Sequence, residues 1–261
     1  MVDLHCHILP GLDDGPVTLE ESLAMAQAAA KEGIRILYAT PHHLRAPYEN
    51  GREKVVEAVA RLNETLREAA IPVEIRFGQE ARVCSEFVRE AWENRLLPLE
   101  GTSAVLVELP SFGIPPEWDD VLHELALLGL TPILAHPERN RAIAEDPELL
   151  RPYVDAGLLC QITSHSLTGE LGARPEAAAL SLCGMGLAHF IASDAHDSVK
   201  RPYKLKAAFD KIEGRYGDTM ARRMEDNARR LAAGERIDSR QPAVKPVPAV
   251  KLFGWLGRKG S

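Results

Sequence analysis

The chain has 261 residues, a formal net charge of −7 and a pI near 5.8, which argues against a general nucleic-acid binder, because affinity for a phosphate backbone needs net or strongly local positive charge. At 28.7 kDa it can bury a substantial core as one large α/β domain or two small ones. No stretch approaches the roughly 18 consecutive apolar residues of a membrane span, the N-terminus does not read as a signal peptide, and Cys6, Cys84, Cys160 and Cys183 are scattered packing residues suited to a reducing cytoplasm.

The first run, Leu4 to Leu9, carries His5 and His7. In an extended strand residues i and i+2 point the same way, so the two imidazoles share one face and can serve one metal ion, while Leu4, Cys6 and Ile8 take the other. A turn of Pro10, Gly11, Asp13, Asp14 and Gly15 follows. Residues 18–31 have helical apolar spacing, with Thr18 and Glu21 as a capping box and Gly33 past the end. Residues 34–39 are a short β run that stops at Thr40, Pro41, His42 and His43. The alternation then repeats, with a helix over 53–69, a strand over 73–77, a helix over 85–95 and a strand over 104–107 ending at Glu108. Next come a helix over 117–128, a strand over 132–135 ending at His136, a helix over 147–155 and a strand over 158–162. A helix over 175–183 and a strand over 188–192 ending at Ser193, Asp194, Ala195 and His196 complete the series, and the remainder to about 233 reads as helical with a break at Gly217.

Seven apolar strands, each followed by a helix, imply a parallel sheet, and seven βα units suit a closed or nearly closed TIM-like barrel better than two domains. A doubly wound open sheet is the structural rival. From Gln241 the composition changes to prolines, glycines and bases without an acid, around Leu252, Phe253, Trp255 and Leu256. The expected organisation is thus one domain over 1–240 and a flexible tail over 241–261, with simple disorder weighed against contact with a membrane surface or a partner.

The candidate ligands fall at the strands' C-terminal ends: His5 and His7, His42, Glu80, Glu108, His136, then Asp194 with His196. That is the rim where βα barrels assemble active sites. A single His or Glu after a strand is usually a surface residue, but burying this whole set without a cation would cost several kcal/mol or more per ionised group. Nitrogen and oxygen donors without thiolate suit Mn²⁺, Fe or Zn²⁺. Cysteine-based phosphate chemistry is excluded, because the positions six residues after the four cysteines hold Leu12, Glu90, Ser166 and His189 where an arginine is required. There is also no GxSxG elbow and no P-loop.

The HCHILPGLDDGP opening, ATPHH at residues 39–43, Gly78 with Glu80, HPERN at 136–140 and Ser193 to His196 together resemble the PHP (polymerase and histidinol phosphatase) superfamily. More narrowly, the chain is similar to bacterial manganese-dependent protein-tyrosine phosphatases of capsular and exopolysaccharide synthesis, over residues 1 to about 235, with no ligand position broken. The resemblance implies a distorted (β/α)7 barrel with three metal ions, Mn²⁺ by expectation. His5, His7, Glu80 and Asp194 would hold the first, Glu80 as a bridge with Glu108 and His136 the second, and Asp14, His42 and His196 the third, with Asp13 the adjacent rival for Asp14. Arg139 and Arg201 would bind phosphoryl oxygens, and a metal-bridging hydroxide would attack a phosphotyrosine in the tail of a cognate kinase. No general acid is assigned, a phenolate leaving group having a parent pKa of about 10. His165 is a candidate outweighed by its reading as a loop residue, and His43, Arg45, Arg52, Arg141, Lys200 and Lys204 are expected around the mouth. The rival functions are hydrolysis of a small ester of the histidinol phosphate type and a non-catalytic kinase-docking regulator.

Overall fold

The structure, a computed structural model, describes residues 1–247. Its strands are β1 (Val2–Cys6), β2 (Ile36–Ala39), β3 (His42–His43), β4 (Glu74–Phe77), β5 (Glu80–Arg82), β6 (Ala104–Glu108), β7 (Thr131–Ala135), β8 (Leu159–Thr163) and β9 (Phe190–Ala192). All neighbouring pairs are parallel, in one sheet of order β1-β2-β4 and another of order β3-β5-β6-β7-β8-β9. β3 prolongs the line of β2 beyond Thr40 and Pro41, and β5 prolongs β4 beyond Gly78 and Gln79, so nine segments make seven staves. Parallel pairing of Cys6 with Ala195 joins the first stave to the last, through His7 N–H on Ala195 O (2.8 Å) and Asp194 N–H on His5 O (2.9 Å). The result is the distorted seven-stave βα barrel.

The helices are α1 (Leu19–Glu32), α2 (Arg52–Glu68), α3 (Phe87–Trp92), α4 (Trp118–Leu127), α5 (Arg141–Glu145), α6 (Arg151–Asp155), α7 (Ser164–Leu167), α8 (Ala173–Gly184), α9 (Leu205–Tyr216) and α10 (Asp218–Ala232). The capping box closes the start of α1, where the Thr18 side chain accepts from Glu21 N–H, and Gly33 ends it at φ 92°. Three expected helices are shorter or divided. Only Phe87–Trp92 of 85–95 is α-helical, 147–155 is a 3-10 turn (Pro147–Leu150) followed by α6, and the span from Asp197 to Lys204 is a loop. Pro152 explains the second case, since it can open a helix but cannot continue one, and Pro202 does the same in the third. The expected break at Gly217 separates α9 from α10.

Strand alternation builds the site. In β6 Ala104 and Leu106 belong to the interior cluster while Val105 and Val107 pack outward under the helices; Ile133 and Ala135, Leu159, Phe190 and Ala192 repeat this in β7, β8 and β9. Continuing the inward series of β6, β8 and β9 by two residues reaches Glu108, Gln161 and Asp194. The lumen thus turns from apolar to ionisable along its axis. β1 departs from the expected alternation: a register shift between Asp3 and Cys6 leaves Leu4 in the interior cluster while Cys6 and Ile8 pack outward. The bulge therefore turns Leu4 and His5, neighbours in sequence, to the same interior.

Ala228 and Leu231 of α10 join the interior cluster and close its lower end. Of the expected tail, Val244 N–H bonds Gly184 O and Val247 N–H bonds Arg215 O, each at 2.8–2.9 Å, and residues 248–261 lie outside the described residues. Among the described residues no helix is long and apolar enough to cross a membrane.

Candidate metal centre

His5 and His7 are fully buried, and each has its Nδ1 engaged: Gln161 Oε1 lies 3.0 Å from that of His5, Asp13 Oδ2 2.6 Å from that of His7. Both partners are acceptors, so each Nδ1 carries the proton and each Nε2 presents a lone pair. Those two Nε2 atoms stand 3.1 Å apart. Two lone pairs at that distance require a cation or a shared proton between them. Glu80 Oε2 and Asp194 Oδ1 flank the pair, 3.3–3.5 Å from the two nitrogens. Adjacent donors on one octahedral ion, bound at about 2.1–2.4 Å, stand about 3.0–3.4 Å apart.

Around this group lie the other expected residues. His136 Nε2 is 2.7 Å from Glu80 Oε1, and His42 Nδ1 is 2.7 Å from Glu80 Oε2. On its other edge, His42 Nε2 lies 3.4 Å from Asp14 Oδ1, which is 3.3 Å from His196 Nε2. Three sets offer donor atoms mutually within 4.8 Å: His5, His7 and Glu80; His42, Glu80 and Glu108; and His7, Asp14, His42 and His196. All nine expected ligands converge, with Glu108 beside His42 and Glu80 and with His136 directly on Glu80. Although His42 Nδ1 and Glu80 Oε2 are close, their contact lacks hydrogen-bond geometry, and Glu108 Oε2 is likewise buried without a hydrogen bond; a buried polar atom left in this state costs about 1–3 kcal/mol, and more for a charge. Unpaired donors of mixed nitrogen and oxygen type fit divalent metal ions.

The titration behaviour follows. Burial would raise the carboxyls of Glu80 and Asp194, but the charge of His5, hydrogen bonds from the histidines and, for Asp194, Arg201 and Arg139 hold both well below the usual range. Burial lowers His7, yet Asp13 outweighs it and leaves this imidazole well above its ordinary value. Acids driven to ionise beside bases driven to protonate make a field that metal cations can replace.

Two of these residues hold strained backbone: His136 at φ 34° and Asp194 at φ 53° turn the chain sharply at the ends of β7 and β9. Asp194 is held in place by its predecessor, because Ser193 N–H and Oγ–H both donate to Asp3, at 2.9 and 2.5 Å. Burial pushes the Asp3 carboxyl up to about 6 despite these bonds.

Arg139 Nη1 and Arg201 Nη2 both donate to Asp194 Oδ2, at 2.6 and 2.7 Å, and their heads remain partly exposed at the mouth. Of the other expected cations, Arg45 reaches the cluster, touching His42 and standing 3.8 Å from Glu108. Arg52 instead binds the Asn94–Leu96 turn, Arg141 pairs with Glu145, Lys204 with Glu170, and His43 is buried between Glu49 and Glu90. His165 is buried in α7 with Nε2 3.5 Å from Glu170, and its pKa is lowered by burial. Burial thus disfavours the protonated form that a general acid would need.

Sequence reasoning missed Gln161, Asp13's hold on His7, and Asp3. Gln161 and Asp3 had a signal, each being the lone polar side chain besides the ligands within an apolar strand run.

A family model described as capsular polysaccharide synthesis, CpsB/CapC, matches residues 1–232. The chain belongs to the CpsB/CapC family. Tyrosine-protein phosphatase YwqE of Bacillus subtilis is 40% identical over 256 residues, covering 98% of this chain and 100% of that protein. Tyrosine-protein phosphatase CpsB of Streptococcus pneumoniae is 28% identical, covering 91% and 100%. A crystal structure from work on YwqE and CpsB, there described as unique metal-dependent tyrosine phosphatases, has a TM-score of 0.89 at 38% identity and covers 95% of this chain and 100% of its own. The lactonase Lmo2620 of Listeria monocytogenes, with a TM-score of 0.56 at 12% identity, shares the fold.

Proposed function

We propose that this CpsB/CapC chain is a metal-dependent protein-tyrosine phosphatase that acts in the cytoplasm on the phosphotyrosine tail of a bacterial tyrosine kinase in capsular or extracellular polysaccharide synthesis. The observation that carries the reading is the paired Nε2 lone pairs of His5 and His7, ringed by carboxylates and capped by two arginines that share Asp194. Kinship with named tyrosine phosphatases along nearly the whole chain supports the substrate class.

In this reading His5, His7, Glu80 and Asp194 hold one ion, Glu80 with Glu108 and His136 a second, and Asp14, His42 and His196 a third, Mn²⁺ being preferred over Fe or Zn²⁺. The divalent ions, when bound, supply an activated water and positive charge for the phosphoryl oxygens. The chain's own residues do the rest. Asp13 and Gln161 fix the tautomers of His7 and His5, so both nitrogens are ready to ligate. Asp3 and Ser193 hold the turn that aims Asp194. Arg139 and Arg201 offer charge-assisted hydrogen bonds to phosphoryl oxygens at the open side of the cluster. A phenolate leaves without strong acid help, which suits a site in which burial disfavours the protonated form of His165.

The rival substrate is a small ester such as histidinol phosphate. Turnover of a phosphotyrosyl peptide and of histidinol phosphate by the same Mn²⁺-loaded protein separates the two. A preference for the peptide is expected; a strong preference for the small ester contradicts the proposal.

A further inference from the structure

The three most exposed large apolar side chains among the described residues are Val199, Phe112 and Val17, at 82%, 78% and 75%. All three lie in loops that leave the C-terminal ends of ligand-bearing strands: Val17 after Asp14, Phe112 after Glu108 and Val199 after His196. Exposed apolar groups scatter over most protein surfaces, whereas apolar side chains on the loops around one polar site can serve as part of a binding surface.

Two of them sit in loops tied to the turns that carry Arg139 and Arg201. Asn140, the residue after Arg139, donates through Nδ2 to Pro110 O (2.7 Å) and Gly113 O (2.9 Å), while Arg141 N–H bonds Ser111 O at 2.8 Å. These three bonds bracket Phe112 and tie its loop to the turn that carries Arg139. Ser111 also lines a small cavity together with Glu108, His136 and Arg139. Val199 is held likewise: its N–H and that of Lys200 donate to Asp197 Oδ1, and His196 N–H bonds Arg201 O at 3.0 Å. That loop closes on itself and carries Arg201. Each arginine therefore arrives with an apolar side chain that is exposed although its backbone is fixed.

We infer that Phe112 and Val199 form an apolar rim that grips the phenyl ring of a phosphotyrosine while Arg139 and Arg201 hold its phosphoryl group. This deepens the proposed function and rests on it. An aromatic side chain on an anchored backbone binds a ring at lower cost in entropy than one on a free loop, and a preformed loop adds geometry that a small alkyl phosphate cannot use. The rim is therefore a specificity device for aromatic phosphate esters.

The test uses the Mn²⁺-loaded full chain, as wild type, Phe112→Ala, Val199→Ala and the double variant. Turnover of a phosphotyrosyl peptide is measured beside calorimetric binding of the same peptide with the phosphotyrosine replaced by a non-hydrolysable phosphonate. Each single variant is expected to raise KM and the phosphonate Kd about tenfold with kcat changed less than about twofold, and inhibition by inorganic phosphate is expected to stay as in wild type. Because the side chains are exposed, thermal unfolding checks that the variants fold; Phe112→Leu, which keeps part of the apolar surface, is expected to fall between. If the wild type hydrolyses the peptide and the double variant has the same KM and phosphonate Kd, the rim has no such role. If the wild type does not hydrolyse the peptide at all, the proposed function itself falls and the rim with it.

Discussion

Asp13 Oδ2 lies 2.6 Å from His7 Nδ1, while Asp14 Oδ1 lies 3.3 Å from His196 Nε2 and 3.4 Å from His42 Nε2. Adjacent aspartates thus have separate work: Asp13 orients a ligand, and Asp14 stands among the donors. Asp13 is also fixed by the N–H groups of Gly15 and His42, at 3.0 and 3.1 Å.

Asp13→Asn is expected to weaken metal affinity about 10- to 100-fold while excess Mn²⁺ restores turnover, as for partners that orient a ligating histidine. Gln161→Leu is expected to act the same way through His5. Asp14→Ala is expected to lower the number of bound ions at saturation. Elemental analysis across a metal titration distinguishes an affinity loss from a stoichiometry loss.

Arg139→Ala and Arg201→Ala are each expected to retain metal and lower kcat/KM for a phosphotyrosyl peptide about 10- to 100-fold, the worth of a charge-assisted hydrogen bond of about 1.5–3 kcal/mol. Both meet on Asp194 Oδ2, so the double variant should depart from additivity. Wild-type kinetics in both single variants would remove these roles.

His189 gives a pH prediction away from the metal centre. It is buried, accepts Cys160 N–H at Nδ1 and donates to Ser239 O from Nε2, and burial pushes its pKa down to about 4. The unfolded chain takes up its proton near pH 6.5 and the folded chain does not until about pH 4. This stabilisation is complete above about pH 6.5 and is lost as pH falls toward 4, by about 1.4 kcal/mol per unit at most. Urea unfolding at pH 7.5 and 5 should show the loss, and His189→Gln should flatten it.

Much of the barrel was legible because the alternation of strand and helix is a strong signal, and eight of the nine candidate donors the structure brings together lie at or just beyond strand ends; Asp14 sits in a turn and came with the family resemblance. What escaped has physical causes. β3 and β5 span two and three residues, too few for any periodicity to register. The bulge in β1 reverses a face without changing the sequence pattern. Asp3 and Gln161 act through another residue, and such partners are defined by distance in the fold. Prolines divided the expected helices at 147–155 and beyond His196 because local φ restriction overrides apolar spacing.

The proposed chemistry requires metal in this cluster. The direct measurement is phosphotyrosyl-peptide turnover by protein stripped of metal, with elemental analysis on the same sample, and again after Mn²⁺ is returned. Turnover is expected to vanish with the metal and to return with Mn²⁺; undiminished turnover by a sample with no detectable metal would contradict it.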